Sequence, residues 1–99
     1  PTEIARLTSV GVAERFRIPG KGGLQIGKDA DLTLVDLHAD ATVRAADLRY
    51  RHRQTPYLGR KLRGRIMRTI LRGQTIFESG KLAPRPAGRL VRPEAPPHP

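Results

Sequence analysis

Three aspartates within eight residues, Asp29, Asp31 and Asp36, form the densest grouping of hard-cation ligands in the chain. A calcium loop would add further oxygen ligands and a bidentate glutamate at its twelfth position, and that glutamate is absent. Asp29 and Asp31 are therefore expected to accept backbone hydrogen bonds in the turn that follows Gly27. The histidines His38, His52 and His98 are far apart and form neither an HxH pair nor an HExxH motif. His52 reads as a loop or interface hydrogen-bonding residue. Ser9 and Ser79 lack a nucleophile-elbow context. Residues 20–23 are glycine-rich, but a strand follows them, whereas a phosphate cradle leads into a helix. No catalytic, cofactor-binding or metal-ligating residue is assigned from this sequence.

Composition narrows the scaffold. A (β/α)₈ barrel takes about 250 residues, and this chain has 99. It has no cysteine, which removes disulfides, thiol nucleophiles and cysteine-held zinc. No apolar run reaches the roughly 18 residues of a membrane span, no signal peptide is visible, and a cytoplasmic location is expected. Hydrophobic residues make up only 37% of the chain, so the expected core is thin.

Nineteen Lys and Arg face nine Asp and Glu, a formal net charge of +10. Nine of the basic residues, and no acid, fall between positions 49 and 72: Arg49, Arg51, Arg53, Arg60, Lys61, Arg63, Arg65, Arg68 and Arg72. A nucleic-acid site would place several of these on one face to neutralise phosphates. Only Tyr50 and Tyr57 lie nearby for base stacking, and the run spans a turn, a loop and a strand. A solvated face or a subunit contact accounts for it more simply.

The elements that would position these residues are short. Residues 1–16 read as helical, with Thr2 as the hydroxyl cap and Ile4, Ala5 and Leu7 as an apolar stripe. Gly11 interrupts before a second turn carrying Val12, Ala13 and Phe16. Leu24 and Ile26 alternate with polar or small residues, and Leu32, Leu34 and Val35 form a strand suited to burial on both sides, ending at Asp36. Residues 40–53 carry a brief helical turn capped by Asp40 or Thr42, and residues 54–59 form a loop. Residues 64–78 read as a β-hairpin around Arg72-Gly73, which sets Ile70 opposite Thr75 and Arg68 opposite Phe77, the latter as a cation–π pair. Six of the sixteen residues from 84 to 99 are proline, so that segment should run extended or disordered.

Two blocks carry a resemblance. Lys21-Gly22-Gly23-Leu24-Gln25-Ile26-Gly27-Lys28-Asp29-Ala30-Asp31-Leu32-Thr33-Leu34-Val35-Asp36 resembles the KGxIxxGxDADLxLxD strand–turn–strand of the amidohydrolase superfamily. Leu7-Thr8-Ser9 and Ala13-Glu14-Arg15-Phe16 resemble the LTSxNPAxxF helices before it, with Gly11 and Val12 in place of Asn-Pro. Tyr50-Arg51-His52-Arg53-Gln54-Thr55-Pro56-Tyr57-Leu58-Gly59-Arg60 resembles the YRHxxSPYxGR loop of allantoinases and, more loosely, the SPFxG loop of dihydroorotases and hydantoinases. Leu62 to Phe77 follows the group's LxGxVxxTxxRGxxVY hairpin, and residues 84–89 resemble its PxGxxL ending.

The resemblance implies an α+β fragment from the C-terminal part of a cyclic amidohydrolase. Its parent would combine a (β/α)₈ metallohydrolase barrel with a small β-sandwich. Residues 1–19 would be the last barrel helices, 20–83 the C-terminal part of the sandwich with an intervening loop, and 84–99 an extended or disordered tail. The implied parent activity is metal-dependent hydrolysis of allantoin to allantoate. A dihydroorotase or hydantoinase segment is the neighbouring alternative, and a small basic nucleic-acid-binding protein is the alternative of another class. Zinc or a similar divalent metal is implied for the parent and none for this chain, because the family's ligands lie outside the matched motifs. The implied partner is the N-terminal barrel and sandwich portion, in cis or as a separate chain, in a homo-oligomer away from the membrane.

Overall fold

Good helix formers and a glutamate in the first turn start the chain as a helix, α1 (Thr2–Ala5), continued by a π-helical turn (Arg6–Val10) and α2 (Gly11–Arg15). The computed structural model describes residues 1–49, 51, 52 and 54–95. Pro1, not Thr2, occupies the cap position, and no side chain caps the helix. Thr2 is already helical, so its hydroxyl cannot serve as the cap. Gly11 does not interrupt the helix either. Its angles are right-handed helical, and its amide donates to the Arg6 carbonyl five residues back, which closes the π turn. One turn earlier, the Thr8 hydroxyl donates to the Ile4 carbonyl at 2.7 Å, a local bond that competes with the regular ladder.

The chain then crosses a turn-rich stretch, residues 16–31, in which Leu24 and Ile26 are exposed and belong to no strand. Four antiparallel strands follow: β1 (Leu32–Thr42), β2 (Lys61–Leu71), β3 (Gln74–Glu78) and β4 (Lys81–Leu82), in the spatial order of the sequence. β1 continues well past Asp36. Its apolar run is not buried on both sides, since Leu34 and Val35 remain 46% and 47% exposed. The helical turn expected after it is a 3₁₀ turn, Ala45–Asp47, capped by Arg44, while Asp40 and Thr42 are strand residues paired with Arg63 and Lys61.

Two register irregularities shape the β1–β2 ladder. Leu34 faces Arg68 while Val35 faces Ile66, which leaves Met67 as the extra residue. Farther on, Asp36 faces Arg65 and Asp40 faces Arg63, so three residues of β1 lie opposite Gly64 alone. Gly64 has φ +107°, a backbone state suited to such a bulge.

The β2–β3 hairpin closes through the two-residue turn Arg72-Gly73, both with positive φ (47° and 81°), and sets Ile70 opposite Thr75 as expected. Beyond that pair the expected register fails. Ile76 is an extra residue, so Thr69 faces Phe77 and Arg68 faces Glu78. Arg68 therefore makes an ion pair with Glu78 and no cation–π contact with Phe77.

Among the described residues only Ala13 is buried, at 9% exposure. No helix packs directly on a strand among the described residues. The radius of gyration is 16.0 Å, against about 13 Å for a compact domain of this length.

Candidate functional site

Several polar contacts between residues far apart in the sequence meet at the tip of the β2–β3 hairpin. Lys21 leaves the loop after α2 and places its Nζ 2.9 Å from an Asp29 carboxylate oxygen and 2.5 Å from one of Asp31. The other oxygen of Asp31 accepts the Arg72 backbone N–H at 2.8 Å. Alongside it, the Gly73 N–H donates to the Ala30 carbonyl at 3.0 Å. The loop is thereby laid against the hairpin turn by two backbone donors and one carboxylate.

Electrostatics follow from this arrangement. Hydrogen bonds that Lys21 donates to Asp31, and then to Asp29, raise it above its ordinary pKa. Asp31 is held below its ordinary value first by the Lys21 bond, with the Arg72 amide adding to it against partial desolvation. The Lys21 side chain is only 18% exposed and sits between two anions, so it is a neutralised structural cation.

The same loop grips the helix from its other end. The Ser9 hydroxyl donates to the Gly22 carbonyl at 3.0 Å. Gly22 has φ +103°, and a Cβ built there would lie 2.5 Å from the Cβ of Ala13. Only glycine allows this approach, which gives the helix its one buried residue.

The candidate residues thus separate. Asp31 does accept a backbone hydrogen bond, but from Arg72, forty-one residues away, and not from the local turn. Asp36 stands apart, its carboxylate accepting the His38 backbone N–H at 2.9 Å. Ser9 is a structural donor, and Ser79 is a turn residue with φ +48°. His52 is exposed, whereas His98, Tyr50 and Arg53 lie outside the described residues.

The basic run divides among separate partners. Arg49 donates to the Gly80 carbonyl at 3.2 Å, Arg60 lies 5.7 Å above the Tyr57 ring, Arg68 pairs with Glu78, and Arg72 donates to the Ala87 carbonyl. The structural role of Lys21 is not legible from sequence spacing. Its ten-residue separation from Asp31 follows no local rule, and its place beside Gly22 in a loop rich in aspartate is the one available signal.

Among the described residues no three His, Asp or Glu side chains come together in a way that could hold a metal ion. What remains is an apolar surface. On the β1–β2 ladder Leu34, Val35, Leu37 and Ile66 are about half exposed, and Ile4 and Leu7 on the helix are more open still.

Known proteins contain segments similar to this chain. It is 53% identical to an allantoinase of Rubrobacter xylanophilus over 94 residues, which is 95% of this chain and 21% of that enzyme. A dihydroorotase of Pyrococcus horikoshii is 35% identical over 89 residues, 90% of this chain and 21% of that one. The solved L-hydantoinase (dihydropyrimidinase) of Arthrobacter aurescens superposes with a TM-score of 0.61 at 38% identity, covering 66% of this chain and 14% of that structure.

The chain matches a C-terminal segment of an amidohydrolase.

No protein-family model matches the sequence. This amidohydrolase segment spans about one fifth of the length of the curated relatives it matches. Among the described residues of the segment, no helix is long and apolar enough to cross a membrane.

Proposed function

We propose that this chain is the C-terminal portion of an allantoinase-type cyclic amidohydrolase and that it does structural work for a catalytic body held elsewhere. The observation that carries the reading is the 53% identity to an allantoinase across almost the whole chain, set against 35% to a dihydroorotase. In this reading residues 1–19 end the catalytic barrel, residues 20–83 complete the small β-sandwich, and residues 84–99 form the tail. A divalent metal such as zinc, bound by the rest of the enzyme, supplies the activation of water for ring opening, and no residue of this chain takes part in that step. The chain's own task is to cover its partner with the half-exposed apolar side chains of β1 and the helix. Full burial of such a side chain stabilises by about 1.5–3 kcal/mol, and covering the half still exposed contributes about half of that. The complete enzyme is cytoplasmic and homo-oligomeric.

A chimera tests this. The matched region of the Rubrobacter allantoinase is exchanged for this chain, and turnover of allantoin, dihydroorotate and hydantoin is measured. The chimera is expected to open allantoin in preference to the other two rings, whereas the same enzyme without the region, and this chain alone, are expected to be inactive. A chimera that melts cooperatively and retains its metal but leaves allantoin intact overturns the reading.

A further inference from the structure

Among the described residues the helix and the sheet do not touch, yet a closed circuit of contacts joins them. From the helix it runs through Ser9 and Ala13 to Gly22, and from the neighbouring Lys21 to Asp31. Asp31 takes the Arg72 amide, and the Arg72 guanidinium donates to the Ala87 carbonyl of the tail. The tail then returns to the start, where the Glu94 N–H donates to the Arg17 carbonyl just past α2 at 2.8 Å. Among the described residues, every step of this circuit beyond the helix is made by a loop, a turn or the tail.

We propose that the Arg72-Gly73 turn is the junction that fixes the N-terminal helix relative to the sheet, holding the 20–31 loop with its backbone and the proline-rich tail with its side chain. One residue serves both arms because the left-handed turn geometry, φ +47°, directs its amide to Asp31 while its guanidinium reaches Ala87. The described part of the tail, residues 84–95, is accordingly a strap across the molecule. Its prolines suit that task, since each restricts the backbone before docking and lowers the entropy lost on ordering. The two arms make separable demands. The loop arm needs the Asp31 carboxylate and Lys21, and the tail arm needs only the guanidinium. This inference concerns the chain's own geometry and stands apart from the question of substrate.

The chain has no cysteine, so paired spin labels can be placed cleanly. One pair, Glu14→Cys with Gln74→Cys, spans helix and sheet, and a second, Lys61→Cys with Gln74→Cys, lies within the sheet as a control. Distances are measured by pulsed electron resonance on the full chain frozen from 5 °C. The helix–sheet pair is expected to give a single narrow peak. Asp31→Ala, which removes the Lys21 and Arg72 contacts of the loop arm and leaves only the Gly73–Ala30 bond, is expected to abolish that peak while the control pair keeps its own. Arg72→Gly keeps the amide and the positive φ but removes the guanidinium, and it too is expected to cost the narrow peak. If Asp31→Ala also disturbs the control pair, Lys21→Met decides, since it leaves the Asp31–Arg72 bond in place; loss of the helix–sheet peak alone supports the junction. A narrow helix–sheet peak that survives both Asp31→Ala and Arg72→Gly, or that survives Lys21→Met, overturns the proposal. So does a broad distribution in the unsubstituted chain.

Discussion

Asp31 shows how one carboxylate can do two unrelated tasks when its two oxygens point to different parts of the chain. One neutralises Lys21 and the other holds the Arg72 amide. Exposed ion pairs contribute about 0–1 kcal/mol, so the value of this one lies in position more than in energy. Its pH dependence follows from the directions of the shifts. Asp31 has a folded pKa below its ordinary 3.8, so its contribution is complete above about pH 4 and is lost as pH falls through the lower folded value. Lys21 has a folded pKa above 10.5, so its contribution is complete below that value and is lost as pH rises through the raised one. The clasp should therefore hold across the whole neutral range and open first in acid. The amide resonance of Arg72, followed in an NMR pH titration, is expected to stay constant through neutrality and to move only below about pH 4. Movement near neutral pH would contradict the assignment. At this scale the sequence was only partly legible: two aspartates after a glycine announce a turn, but nothing local announces a partner forty-one residues on.

Among the elements, the hairpin was readable and its register was not. Arg72-Gly73 between two apolar runs specifies a tight two-residue turn, because positive φ at both positions matches the right-handed twist of the strands. The bulge at Ile76 then shifts every later pair, and no residue type at that position announces it. Gly64 inside a strand was a usable warning of the second irregularity. The next turn, Ser79-Gly80, repeats the geometry with φ +48° and +85°, and it carries β4, too short to stand out in the sequence. Serine is poorly suited to the left-handed state, whereas asparagine visits it readily. Ser79→Asn should stabilise the β3–β4 hairpin by on the order of 0.5 kcal/mol, a roughly twofold change. The Ala83 amide, which donates to the Ile76 carbonyl at 2.7 Å, reports on that pairing. Its hydrogen exchange is expected to slow about twofold in the variant, and faster exchange would show that the serine side chain is needed there.

For the whole molecule, the decisive fact is where the apolar groups are. A stable small domain rests on side chains removed from water, each contributing about 1.5–3 kcal/mol, against a backbone ordering cost of about 1–2 kcal/mol per residue. Here the described residues bury one alanine, and Ile4, Leu7, Leu34, Val35, Leu37 and Ile66 all remain between 46% and 67% exposed. Local terms, namely ladders, turns and the Lys21–Asp31 clasp, can order the chain in the cold, but no shared core makes its parts melt together. The composition foretold the thin core, while the amphipathic stripes gave no sign that their apolar side chains would stay half exposed. Heated from 5 °C, the isolated chain is expected to lose its far-ultraviolet circular dichroism gradually, and to bind a hydrophobic dye strongly at the starting temperature. In the allantoinase chimera the dye signal should fall and a cooperative transition should return, because the same side chains become interior. A sharp transition in the isolated chain, with no dye bound, would mean that the strands and helix close on themselves, and the exposed face would lose its standing as a docking surface.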